Sequence, residues 1–386
     1  MLLLKLIIRN ALARHPVRAL LTVAGVALAV LAFGMLRTVV DAWYAGVELS
    51  SATRLVTRNS ISLIFPLPLA YKERIRATPG VTQVAAANWF GGVYIDEKHF
   101  FPSFAVEPGP YFRLYPEYLV PDPEMEDFRR DRQGCIVGRR LAERFGWKVG
   151  DSTVLKGTIF PGDWPMHVRA VYRGRDRNID ETQLIFHWDY LNETMKKTTP
   201  RRADQVGFYM VGIERPELAA EISSAIDARF ANSLAETRTE TEKAFQLGFV
   251  AMSSAIITAI RAVSVMVIFI IMAVAANTMA MAARERLGEF AALKTLGFTP
   301  GWLALLMLGE SLAVSLAGGG LGLVLTFPAA RAFGKAMSAF LPVFDVSEPT
   351  VWMQAGISLA VGLAAAAFPA LRAGRAPIAE SLRRIA

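Results

Sequence analysis

Four long apolar stretches, separated by polar sequence of very unequal length, set the plan of the chain. The first, Ala19 to Leu36, runs about 18 residues without a charge, enough to cross a hydrocarbon core of about 30 Å as a helix. It is longer than the apolar part of a cleaved signal peptide, so residues 19–40 read as an uncleaved first span. Trp43 and Tyr44 follow it, as aromatics do at a membrane interface. The second stretch, Phe249 to Ala283, is broken only by Arg261. As one helix it would be about 52 Å long at the standard rise. About 20 Å must then project from the bilayer, so residues 249–283 read as a stalk continuing into the second span, with Arg261 at the outer interface. The competing reading breaks the helix near Arg261. The third and fourth spans are residues 302–330 and 351–371.

Between the first two spans lie about 200 residues, 41–248, with frequent Pro, Gly and charge and no run long enough to cross. Helical spacing predicts Leu69 to Ala77, ended by Pro79-Gly80, then Arg139 to Phe145, and Glu217 to Phe230 with Leu218, Ile222, Ile226 and Phe230 on one face. Val81 to Ala87, Cys135 to Val137, Ser152 to Leu155 and Val206 to Ile213 read as strands. The expected fold is a membrane protein of four transmembrane α-helices, with a large extracytoplasmic α+β domain between helices 1 and 2. The acidic cluster Asp122, Glu124, Glu126 and Asp127, interleaved with Pro121 and Pro123, reads as a solvated loop rather than a cation site. The apolar stretch Ile61 to Leu69 reads as core, the other reading being contact with an apolar substrate or partner.

Composition agrees with a mixed protein: 386 residues, 53% hydrophobic, mean hydropathy +0.34. The single cysteine excludes an internal disulfide framework and a cysteine-based zinc site, and four scattered histidines give no metal-ligand spacing. The formal net charge is +8. Met1 to Arg18, residues 284–301 and residues 372–386 carry eleven Lys/Arg against three acids, so these three segments hold the whole excess. The positive-inside rule then puts both termini and the 284–301 loop in the cytoplasm. The charge marks topology and lipid contact, not nucleic-acid binding. Residues 1–18 read as an amphipathic helix on the cytoplasmic face, residues 331–350 as a short outer loop and residues 372–386 as a basic cytoplasmic tail.

The chemistry-bearing candidates gather in the inner loop, A-RERLGEFAALKTLGFTP, from Ala283 to Pro300. Leu287, Phe290 and Ala291 share a helical face, Glu285 and Glu289 lie one turn apart among Arg284, Arg286 and Lys294, and Gly297 followed by Pro300 ends the helix. A short helix held between two spans is a lever on both; the plainer reading is a solvated loop that fixes topology. Glu310, inside the third apolar stretch, reads either as a proton or substrate site or as a carboxylate near the cytoplasmic interface, hydrated or paired there. Gly318 and Gly322 form a small-xxx-small pair suited to close helix packing. No P-loop, nucleophile elbow or HExxH motif occurs, and no catalytic or metal site is expected.

The R-E-x-x-G-E-F-x-A-L-K-x-L-G pattern from Arg284, followed by Glu310-Ser311 in the next apolar run, resembles the FtsX/MacB-type (LolC/LolE-like) family of ABC-transporter permeases. "ATPGVTQV", "FAVEPGPYF" and "CIVGRRLAERFGWKVGDSTVL" resemble its external domain, and "FPALRAGRAPIAESLR" its usual ending. The resemblance implies a non-catalytic subunit of the bacterial inner membrane. It implies that Arg284, Glu285, Arg286, Leu287, Glu289, Phe290, Leu293 and Lys294 belong to a coupling helix docked on a separate cytoplasmic P-loop ATPase. ATP and Mg would be held by that partner and no cofactor by this chain. A second permease copy, identical or homologous, membrane lipids and a periplasmic adaptor or acceptor protein are the other implied partners. Relatives move lipoproteins, lipids, peptides or hydrophobic drugs by mechanotransmission; the alternative is a signalling subunit that activates an external hydrolase without transport.

Overall fold

A computed structural model of the chain describes residues 16–48, 50–176, 179–337, 341 and 343–375. It divides into a unit of long helices and a soluble unit, residues 43–253 with 337–343. Most of the expected N-terminal amphipathic helix and the tail beyond 375 lie outside the described residues.

Helix α1 spans Pro16–Glu48. Proline suits a first helical turn, where its missing N–H would have no intrahelical partner anyway. The helix runs past the expected end of the first span at residue 40 and takes in Trp43 and Tyr44.

The soluble unit follows in the order β1 (Arg54–Asn59), β2 (Leu67–Pro68), α2 (Tyr71–Arg76), β3 (Val81–Trp89), β4 (Ser103–Val106), α3 (Pro108–Leu114), β5 (Tyr118–Leu119), α4 (Asp122–Arg130), β6 (Gly134–Gly138) and α5 (Arg139–Phe145). Then come β7 (Ser152–Gly157), β8 (Gly162–Gly174), β9 (Leu184–His187), α6 (Trp188–Thr198), β10 (Gln205–Val206), β11 (Phe208–Ile213), α7 (Ala219–Phe230), β12 (Thr237–Thr241) and α8 (Glu242–Met252). The main sheet has the order β12-β1-β11-β3-β4-β9-β6-β8-β5, with β7 on β8. The β4–β9 and β6–β8 pairs are parallel and the others antiparallel.

Helices cover both faces of this sheet. Val84, Ala86, Cys135 and Val137 pack on one side with Ile75, Leu141, Leu191 and Phe230. Ala85, Ala87 and Ile136 pack on the other with Tyr111, Leu114 and Phe128. Double coverage is why these strands read as apolar runs rather than alternating ones. Along β8, Trp164, Met166 and Val168 belong to the first layer and Ala170 and Tyr172 to the second. An irregularity opposite Cys135/Ile136 supplies the extra residue that switches the buried face.

Two expectations change here. The acidic segment expected as a loop is helix α4: Pro123 lies in its first turn, Asp122 and Glu124 favour its N-terminus, and Phe128 is fully buried. In the Ile61–Leu69 stretch Leu67 is core and Leu69 packs against the core, whereas Ile61 (79%), Ile64 (87%) and Phe65 (50%) are exposed.

Helices α9 (Ser254–Glu285), α10 (Leu287–Thr295), α11 (Pro300–Ala336) and α12 (Glu348–Arg375) complete the chain. Helices α1, α9, α11 and α12 are long and apolar enough to cross a membrane. The continuous stalk expected from Phe249 is interrupted at Ser253, where α8 ends. Arg261 lies inside α9, so no break occurs there, and the 32 residues of α9 still give about 48 Å of helix. Helix α11 runs from Pro300 to Ala336 and α12 begins at Glu348, so the connection between them is shorter than the expected 331–350 loop. Helix α12 also continues to Arg375, past the expected end at 371.

Close backbone contact joins α1 to α11. A Cβ on Gly318 would lie 2.7 Å from the Val23 carbonyl oxygen, and one on Gly322 would overlap that of Ala27. Between α11 and α12, a Cβ on Gly319 would overlap Ser358. Gln354, fully buried in α12, donates from Nε2 to the Val30 carbonyl (2.8 Å) and to Thr326 Oγ1 (2.8 Å), tying three helices. At one end of the unit, Ser347 and Thr350 donate to Asp41 Oδ2 at 2.7 and 3.0 Å. Helix α9 instead meets this group through apolar Ile271, Ala275 and Met279, packed with Val26, Val30, Val361 and Ala365.

Candidate coupling segment

Helix α10 is short because both of its ends are built to stop. Arg286 leaves helical geometry (φ −102°, ψ 11°) immediately after α9. At the other end Gly297 adopts φ +91°. Its N–H donates to the Lys294 carbonyl at 3.0 Å, and the Phe298 N–H to that of Leu293 at 3.1 Å. This paired stop depends on a left-handed residue, which glycine adopts without strain. Pro300 then opens α11.

The inward face of α10 is an anchor. Phe290 (2% exposed) and Ala291 are buried; Phe290 packs with Ala283, Leu303, Met307 and Ala370, and Leu293 lies against this cluster. Arg286 holds the same region by charge. Its Nη1 donates to Glu310 Oε2 at 2.5 Å and its Nε to Glu289 Oε2 at 3.3 Å, while its guanidinium lies 5.4 Å from the Phe290 ring centre. The Arg286 and Glu310 side chains are 14% and 12% exposed. A second link joins Arg18 of α1 to Glu285 of α9 through two bonds of 2.8 Å.

The residues expected to couple therefore divide. Phe290, Leu293 and Arg286 turn into the helical unit. Arg284, Glu285 and Glu289 are exposed, and Lys294 is partly covered. Leu287 opens α10, and its side chain lies outside the described residues. The turn after α10 adds an exposed apolar group that sequence reading missed: Leu296 (76%), Phe298 (45%) and Trp302 (41%). The rings of Phe298 and Trp302 are nearly perpendicular, with centres 6.5 Å apart. The signal was present in the sequence, as Leu296 and Phe298 beside the helix stop at Gly297 and Trp302 at the start of the next apolar run.

The soluble unit gathers no reactive set among the described residues. Cys135 is fully buried, and burial pushes its thiol well above the ordinary range, so it is not a thiolate nucleophile. Among the described residues no group of three His, Cys, Asp or Glu side chains is placed to hold a metal ion. His99 pairs with Asp96, His167 with Asp131, and His187 with the Phe128 carbonyl, each within its own local contact.

The MacB-like periplasmic core domain model matches residues 19–229, and the FtsX-like permease C-terminal model matches residues 261–378. No curated protein matches significantly. Among solved structures, the extracellular domain of the noncanonic ABC-type transporter YknZ from Gram-positive bacteria is 10% identical, with a TM-score of 0.35 over 49% of this chain and 100% of that one. The periplasmic region of MacB from Actinobacillus actinomycetemcomitans is 7% identical, with a TM-score of 0.37 over 52% of this chain and 94% of that one. The two family models follow one another along the sequence, the first covering more than half of it, and on that ground the chain belongs to the FtsX/MacB-type family of ABC-transporter permeases.

Proposed function

We propose that this chain is the membrane subunit of a mechanotransmitting ABC transporter, coupling a separate cytoplasmic ATPase to movement of its soluble domain on the opposite side of the bacterial inner membrane. The observation that carries this reading is the build of α10: a nine-residue helix between two spanning-length helices, fixed on its inner face by Phe290 and Arg286 and exposed on the other. A partner pressing on the exposed side, where Arg284, Glu289, Leu296, Phe298 and Trp302 lie, displaces α9 and α11 together. Helix α9 follows α8 after one residue, so displacement reaches the soluble domain along the chain. The basic excess supports an inner location for this segment and for both termini.

The cargo is an apolar or amphiphilic molecule drawn from lipoproteins, lipids, peptides and hydrophobic drugs, and the working assembly holds two permease copies. The test is isolation of the intact protein from native membranes in mild detergent, with and without ATP trapping. A stoichiometric P-loop ATPase is the expected companion. Its absence overturns the reading, and an ATPase complex that activates a hydrolase while moving no cargo makes the chain a signalling subunit.

A further inference from the structure

Where the chain enters and leaves the soluble unit, one buried carboxylate collects both ends. Glu242 is the first residue of α8 and 7% exposed. Its Oε2 accepts from the Ser51 backbone N–H at 2.9 Å and from Arg54 Nε at 2.7 Å, and its Oε1 accepts from the Tyr115 hydroxyl at 3.0 Å. Ser51 follows the end of α1 by three residues. Arg54 opens β1, whose partner strand β12 leads directly into Glu242, with Leu55 opposite Thr241.

Arg54 carries the connection further. Its Nη1 reaches Glu117 Oε1 at 2.7 Å and the Leu114 carbonyl at 2.8 Å, and its guanidinium lies 4.2 Å from the centre of the Tyr115 ring. Residues 114–117 end α3 and lead into β5. In the sheet order, β12-β1 form one end and β5 the other. The cluster therefore joins both ends of the sheet within the soluble unit. Burial opposes the Arg54 charge, yet Glu242, Tyr115 and Glu117 together raise its pKa. Burial first, then Glu242, raise the Tyr115 pKa, keeping the phenol a neutral donor.

We infer that Glu242, Arg54 and Tyr115 are positioning residues of a latch that makes α8 and the sheet move as one body, so that displacement of α8 reaches β5 and β8 instead of being lost in rotation about the α8 N-terminus. Buried ion pairs are weak sources of net stability but define geometry where every partner is satisfied. The single Glu242 carboxylate has three donors from two chain segments, residues 51–54 and Tyr115. The inference rests on the proposed coupling function, and the test separates the two.

The experiment uses the full chain in lipid nanodiscs, bound to its co-purified ATPase, with hydrogen exchange followed in β8 in nucleotide-free and ATP-trapped states. The wild type is expected to show a nucleotide-dependent exchange difference in β8. Glu242→Gln is expected to keep assembly and ATPase turnover while losing more than half of that difference, and Tyr115→Phe to lose less. A folded, assembled Glu242→Gln complex with the full wild-type response overturns the latch. Should Glu242→Gln fail to fold, Arg54→Lys and Tyr115→Phe decide by the same criterion. If the wild type has no ATPase or no nucleotide response, the coupling function fails. The latch is then read in the chain alone, from spin labels at Leu247→Cys and Arg173→Cys. A distance distribution that is narrow in the wild type and broad in Glu242→Gln supports it, and identical distributions overturn it.

Discussion

Arg286 and Glu310, 24 residues apart in sequence, meet at 2.5 Å where α10 adjoins α11. Both side chains are largely covered, so each is the other's principal compensation for leaving water. Removing one partner of such a pair leaves an unpaired charge. Arg286→Ala should cost about 3 kcal/mol, the lower end of the range for breaking a buried pair, and weaken ATPase association. Glu310→Gln keeps an acceptor for Arg286, and Glu289 remains beside it, so activity should be largely retained. Thermal unfolding and transport by both variants check this. A folded, assembled but inactive Glu310→Gln complex would give the carboxylate a direct role in cargo or proton handling.

The glycine seam between α1 and α11 makes a separate prediction. Gly318→Leu and Gly322→Leu each place a side chain against helix backbone and should destabilise by about 1–3 kcal/mol, as overpacking does. Gly320 supplies the control, because a Cβ added there would meet no atom within 4 Å. Gly320→Ala should leave the melting temperature in detergent unchanged or slightly raised. Equal effects at the three positions would mean that helix propensity, not interhelical distance, controls the seam.

How much of this was legible in the sequence depended on the kind of signal. The spans and the Gly318/Gly322 contact followed from apolar length and small-residue spacing, which are local properties. Helix ends were less legible: α11 and α12 extend into residues assigned to a loop, because Arg331 and Lys335 are tolerated on a helix end that leaves the apolar region. The α4 error came from reading Pro121 and Pro123 as breakers when proline also starts helices. Pairing is one of the two sequence readings of Glu310, but its partner Arg286 and the Glu242 latch could not be read, since partners 24 and 188 residues apart are brought together only by the fold.

The apolar group after α10 should affect partner binding more than folding. Leu296→Ser removes surface that already faces outward, so its stability effect should stay within about 0.5 kcal/mol, whereas Phe298→Ser and Trp302→Ser, each more than half covered, should cost more, about 1 kcal/mol each. Co-purifying ATPase should fall by about tenfold or more in the triple variant, because a few apolar and aromatic anchors carry most of the energy of a typical interface. Undiminished ATPase with a normal melting profile would move the docking surface elsewhere on the segment.

His187 gives the chain a pH dependence of definite sign. Its ring is buried (5% exposed) at the start of α6, 4.3 Å from Phe128 between ring centres, with Nε2 2.7 Å from the Phe128 carbonyl oxygen. Burial lowers its pKa below the ordinary 6.5, outweighing that carbonyl. Between the lowered value and about 6.5 the unfolded chain binds a proton that the folded chain refuses, so stability is complete above that window and falls as pH drops through it. Asp131 acts in a lower window. Burial raises its pKa, but hydrogen bonds from His167 and Arg169 prevail and lower it below 3.8, so its contribution is lost only as pH falls below about 4. Melting of the full chain at about pH 7.5 and about pH 5.5 therefore separates the histidine from Asp131. The wild type should lose more of its melting temperature on acidification than His187→Gln, which keeps an amide donor for Phe128 but does not titrate. Parallel losses would mean that the buried imidazole is not the group that senses pH in this range.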